Sequence, residues 1–99
     1  MLHIINKSPF QSNALQSCLR MAQDGHALLL IEDAVYAATS GSETADRMRD
    51  ACARLKVYAL QPDMDARGVT PRVLDGITLV DYGGFVDLTV EHTASNSWL

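Results

Sequence analysis

Cysteine is scarce in this 99-residue chain: Cys18 and Cys52 are the two thiols, and no C-x-x-C pairs them. The three histidines, His3, His26 and His92, stand far apart with no ligand spacing, so the sequence argues against a zinc site. Basic residues are also few. Eight Lys and Arg oppose twelve Asp and Glu, for a formal charge of −4. They are scattered singly, which excludes the clustered cations that a direct grip on nucleic acid needs. No stretch approaches the ~20 apolar residues of a membrane span; the longest, Ala27 to Ile31, is strand-sized. Neither G-x-G-x-x-G nor G-x-x-x-x-G-K-[ST] occurs, so nucleotide binding through a glycine-rich cradle is not expected, and no cofactor is. No Ser-His-Asp set, internal repeat or low-complexity segment stands out. No basic and apolar export signal opens the chain, and two thiols in that setting read as reduced, which predicts a cytoplasmic location. A Cys18–Cys52 disulfide is the alternative.

What is present is apolar material, at 47% of residues, in short runs. The length suits one domain over residues 1–99. A chain of this size buries only about 60–68% of its unfolded surface, so some apolar surface is expected to face a partner. Leu2 to Ile5 is a strand continuous enough to be buried on both faces. A loop from Asn6 to Phe10 leads to a helix from Ser12 or Asn13 to Gln23, stopped by Asp24-Gly25. Ala27 to Ile31 is the second strand, and Asp33 is placed to cap a short helix from Ala34 to Thr39. Ser40-Gly41-Ser42-Glu43 has capping-box spacing and opens a helix with Ala45, Met48, Cys52 and Leu55 on one side. Val57 to Leu60 is the third strand. Pro62 and Gly68 bracket a helical segment with Asp63 and Arg67 on its exposed face. Asp75-Gly76 turns into the fourth strand, Ile77 to Val80. Val86 to Glu91 alternates like a strand, whereas Phe85, Leu88, Thr89 and His92 form a helical face; the tail from Ala94 reads as irregular. The pattern predicts an α/β fold: a small, open, mainly parallel sheet of four to five strands with helices on both faces.

Ligands of such sheets meet the loops beyond the strands' carboxyl ends. Here these carry Asn6-Lys7-Ser8, Glu32-Asp33, Gln61-Asp63 and Asp81-Tyr82. The carboxylates Glu32, Asp33, Asp63 and Asp81 could share acid–base work, but three of them stand where helices begin and serve there as caps. Lys7 reads as a solvated loop lysine, Cys52 as core filling. Cys18 lies in the stripe Leu15, Cys18, Leu19, Ala22, a packed position. A reactive thiol needs a helix N-terminus or a cation nearby. Cys18 is a turn and a half into its helix among apolar neighbours, Arg20 points elsewhere, and only Lys7 could approach it.

Four segments together resemble the DsrH/TusB family of sulfur-relay subunits: Leu2 to Phe10, Leu28 to Ala38, Lys56 to Gly68 and Leu79 to Val90, with the ending Ser97-Trp98-Leu99. The resemblance implies a DsrEFH-like fold and a helix as the last element. It also implies assembly with DsrE/TusD-like and DsrF/TusC-like sisters into a heterohexamer, and exchange of persulfide sulfur with a carrier of the DsrC/TusE kind. The task so served is sulfur oxidation or 2-thiolation of the tRNA wobble uridine. Cys18 and the ending lean toward the DsrH side. The loop after the third strand, where DsrE-type sisters hold their acceptor cysteine, is here Gln61-Pro62-Asp63. Carried over, the resemblance leaves Cys18 as the one candidate site residue, either a persulfide carrier or a partner-docking thiol. A subunit that lends only scaffold and docking surface is the alternative.

Overall fold

The apolar runs become the middle of a sheet. The computed structural model describes residues 1–98; Leu99, the end of the Ser97-Trp98-Leu99 segment, lies outside the described residues. Five strands, β1 (Leu2–Ile5), β2 (Ala27–Leu30), β3 (Lys56–Leu60), β4 (Ile77–Val80) and β5 (Ser95–Trp98), pair in the order β4-β3-β2-β1-β5. All four pairings are parallel, with Leu2 opposite both Ala27 and Ser95. Between them run α1 (Ala14–Met21), α2 (Ala45–Cys52), α3 (Gln61–Ala66) and α4 (Tyr82–Glu91), with 3₁₀ turns at Glu32–Ala38 and Thr70–Arg72.

Strand side chains alternate between two unequal cores. Ile5, Leu28, Leu30, Val57, Ala59 and Ile77 meet Leu15 and Cys18 of α1, the alanines after β2, Met48 of α2 and Met64 of α3. On the other face Leu2, Ala27 and Leu29 meet Leu88 of α4, with Ile4, Ile31, Tyr58, Val80 and Phe85 only partly covered. One helix therefore shields a face that four segments shield on the other side.

Two local devices hold α4. Asp81 accepts a hydrogen bond from the Gly84 N–H at 2.8 Å, the cap expected there. Gly84 lets the helix lie on β4, because a Cβ at that position would fall 2.9 Å from the Val80 Cβ. Val86 to Glu91 is thus helical, as the family resemblance implies.

Several expectations are corrected. The tail from Ala94 is not irregular: its Ser95–Trp98 stretch is an edge strand whose backbone joins β1. Asp33 does not cap the segment after β2; the turn begins at Glu32, without a side-chain cap, and Asp33 pairs with Arg67. The capping box does not form. Ser42 Oγ instead accepts from the Thr44 N–H at 3.3 Å, and α2 starts at Ala45, two residues past Glu43. Asp63 and Arg67 are both largely buried, at 20% and 22% side-chain exposure, because each reaches toward the loop after β2. Helix α1 is shorter than expected. It spans Ala14 to Met21, with Asn13 before it making no side-chain cap and Ser12 Oγ accepting from the Ala14 N–H.

Candidate functional site

Cys18 is completely buried on the inner side of α1. Burial pushes its thiol up to about 11, and the positive charge of Arg54 opposes that shift only in part. Lys7 remains an exposed loop residue. Arg54 was not singled out from the sequence. It donates from Nη1 to the Ala22 carbonyl at 2.8 Å and from Nη2 to the Leu19 carbonyl, so it ties the end of α1 to the segment after α2. Cys52 is half-buried and its thiol is also raised by burial. Both cysteines are free, so the disulfide alternative is not realised.

The carboxylates beyond β2 and β3 form a brace. Glu32 holds a left-handed backbone, with φ of +49°, and its N–H donates to Asp63 at 2.6 Å. Arg67 donates to Asp33 through Nε and Nη2, at 3.0 and 2.8 Å, and through Nη1 to the Asp63 carbonyl at 3.1 Å. The side-chain bond to Asp33, with the nearby charges of Asp33 and Asp63, raises the Arg67 pKa above its ordinary value. Asp33 and Asp63 are thereby engaged, and Asp81 is engaged at α4. Of the four carboxylates, Glu32 alone has a side chain with no role in this brace or in a cap. The loop after β3 runs straight into α3 as Gln61-Pro62-Asp63, with no sulfur.

Strand order changes direction at β1: β2 lies on one side, and β5 returns to the other after α4. Such a switch is where open α/β sheets leave a crevice. A groove of about 450 Å³ lies there, lined by Ser12, Asn13, Ala14, Ser17, Ser97 and Trp98. Its lining is polar and uncharged. Asn6 Oδ1, in the loop that leaves β1, is buried without a hydrogen-bond partner among the described residues.

Two of the histidines are brought together. His3 Nε2 lies 3.0 Å from His26 Nδ1, and the Trp98 Nε1–H donates to His3 Nδ1 at 3.2 Å. Burial is the main cause of a lowered His3 pKa, with His26 and the chain's amino terminus adding to it. No sequence spacing announced this contact; the parallel register of β1 beside β2 creates it. Among the described residues no three His, Cys, Asp or Glu side chains converge as a metal would require, and no helix is long and apolar enough to cross a membrane.

The family described as DsrH like protein matches residues 7–95. This chain belongs to the DsrH/TusB family. Protein TusB of Escherichia coli strain K12 is 40% identical over 98 residues, covering 99% of this chain and all of the relative. Protein TusB of Pectobacterium parmentieri is 39% identical over the same span and coverage. In three dimensions the chain is similar to the ychN protein of E. coli, with a TM-score of 0.82, 21% identity and 97% of each chain covered. A protein of unknown function from Methanobacterium thermoautotrophicum gives a TM-score of 0.75 at 17% identity, over 97% of this chain and 95% of that one. At those identities the likeness is one of fold, and it agrees with the α/β architecture of the DsrH/TusB chain.

Proposed function

We propose that this chain is a subunit of a cytoplasmic sulfur-relay complex, to which it contributes assembly and docking surface and no sulfur-carrying thiol of its own. The carrying observation is Cys18: in a member of this family, the candidate thiol is sealed inside the chain and held protonated. The full-length identity with relatives named TusB favours tRNA wobble-uridine 2-thiolation over sulfur oxidation as the task served. The acidic balance of the chain implies that RNA is reached through another protein. Sister chains of the DsrE/TusD and DsrF/TusC kinds are the proposed neighbours in a heterohexamer, with a DsrC/TusE-like carrier as the visiting protein. Tyr82, Val86 and Val90, at 62, 57 and 78% exposure, form one stripe along the outer side of α4 and suit such a contact.

A second reading keeps Cys18 as a sulfur carrier, and Arg54 favours it by opposing the burial shift. In that reaction the Cys18 thiolate attacks the sulfane sulfur of a donor persulfide, and the donor's thiolate leaves. One S–S bond forms as another breaks, without net oxidation. Reaching it requires α1 to open. Intact-mass measurement of the assembled complex after treatment with a sulfane-sulfur donor separates the readings. No sulfur gained on this chain, with assembly unchanged in Cys18→Ser, is the expected result. A gain that Cys18→Ser abolishes would establish the carrier and overturn the docking-only role.

A further inference from the structure

Strand β5 is an unusual closing strand. Ser95, Asn96 and Ser97 are exposed, so their side chains bury nothing, and its backbone pairs with β1 alone. Among the described residues, the one side-chain hydrogen bond made by β5 is that from Trp98 to His3.

The geometry fixes every proton in this chain of rings. An indole N–H can only donate, so His3 Nδ1 must carry its lone pair. A neutral His3 then holds its proton on Nε2 and donates it to His26 Nδ1. That same nitrogen of His26 accepts from the Gln23 N–H at 3.2 Å, so the proton of His26 sits on its own Nε2. The arrangement holds only while both rings are neutral. A proton added at His3 Nδ1 sets N–H against the N–H of Trp98. A proton added at His26 Nδ1 opposes the His3 Nε2–H, and relief by shifting the His3 proton to Nδ1 again deprives Trp98 of its acceptor.

We propose that the Trp98–His3–His26 chain is an acid-sensitive latch on the C-terminal strand, released when the histidine pair takes up a proton. Release frees the edge of β1 while the four-stranded remainder of the sheet keeps its core. Among the described residues, the groups around the pair supply no free carboxylate that would hold a protonated ring in place. Just before β1 stands the amino terminus, whose positive charge disfavours a proton on His3 in the latched arrangement; from β5, residues 95–98 bring no titratable side chain. From α1 the inward side chains are Leu15, Cys18 and the partly buried Leu19, so a protonated thiol is the only titratable group there. Asp24, in the turn before His26, lies 3.5 Å from Arg54, and Lys56 at the start of β3 is exposed.

The chain has one tryptophan, so its fluorescence reports Trp98 alone. Titrating the full chain from pH 8 to 5 should move the emission to the red and raise quenching by iodide, with far-UV circular dichroism nearly constant. Amide exchange of the Ser95–Trp98 segment, corrected for intrinsic rates, should rise about tenfold at the acid end, equal to about 1.4 kcal/mol of local protection. His3→Gln removes the ring that meets Trp98 and should flatten the fluorescence titration, whereas His26→Gln, at a half-buried position, leaves His3 Nδ1 able to take up a proton and should keep it. Trp98→Phe should show the faster exchange at every pH. Emission and exchange that stay level from pH 8 to 5, or that change equally in His3→Gln, would overturn the latch. Where His3→Gln does not fold, Trp98→Phe carries the test: segment exchange that still rises with acid in that variant as in the full chain would overturn the latch.

Discussion

The enclosure of Cys18 makes a prediction that can be worked through in numbers. An ordinary cysteine, with pKa about 8.5, is roughly one-quarter thiolate at pH 8. With its thiol raised to about 11, Cys18 is ionised in about one molecule in a thousand at that pH. Ionisation alone therefore slows alkylation by about 200-fold, before any cost of opening the helix that covers a fully buried sulfur. Iodoacetamide added to the native chain should modify Cys52 first. Peptide mapping should find Cys18 at least about 100-fold slower than a free cysteine, and it should become fast only in denaturant. Labelling of Cys18 at the rate of a free thiol, or ahead of Cys52, would refute the reasoning and show that α1 opens readily in solution.

The raised thiol also sets a pH dependence. Because its folded pKa exceeds its unfolded one, Cys18 adds stability below about 8.5 that is lost as the pH climbs toward 11; at pH 10 the loss is about 2 kcal/mol, and Cys18→Ala should lack that component in urea melts at pH 7 and 10. Leu28→Ala, at a wholly buried position, should cost about 3 kcal/mol by denaturant titration followed by circular dichroism, and a loss under about 1 kcal/mol would contradict the core as described. Gly84→Ala forces α4 away from Val80 and should destabilise by about 1–3 kcal/mol; an unchanged urea midpoint would show that the contact yields freely. Val86→Glu should leave stability within about 0.5 kcal/mol yet reduce co-purification with the sister chains, and undiminished co-purification would remove the α4 stripe from the proposed interface.

Much of the fold was legible because its central strands are apolar on both faces. Leu2–Ile5, Ala27–Leu30 and Lys56–Leu60 were read at or within one residue of their observed bounds. Asp81 was legible as a cap for the same local reason. What escaped was set by tertiary contact. Ser95-Asn96-Ser97 has no hydrophobic alternation, since an edge strand with solvated side chains leaves only its backbone to be read, and backbone pairing has no signature in composition. Asp33 and Ser40 carry credible capping chemistry. Arg67 claims Asp33, however, and the chain at Ser40 is still in a turn whose N–H donates to the Arg72 carbonyl at 2.7 Å. Arg54 and the His3–His26–Trp98 contact join residues 23 to 95 positions apart, beyond any local pattern. Cys18 was read correctly as a packed position by its helical stripe, and the family resemblance alone made it a candidate for chemistry.

The position of β5 bears on how the molecule assembles in time. Pairing Leu2 with Ala27 closes a span of 25 residues, whereas pairing it with Ser95 closes 93. Polymer closure makes the second contact about 1 kcal/mol dearer in entropy, while the polar side chains of that segment return little. Refolding should then proceed through a nearly native species built on four strands, with the last docking as a separate, slower event. Until it docks, the unmatched amides and carbonyls of the first strand would be open to any extended segment nearby, including the same tail from another molecule, so exchange of this segment between copies is the misassembly to look for at high protein concentration.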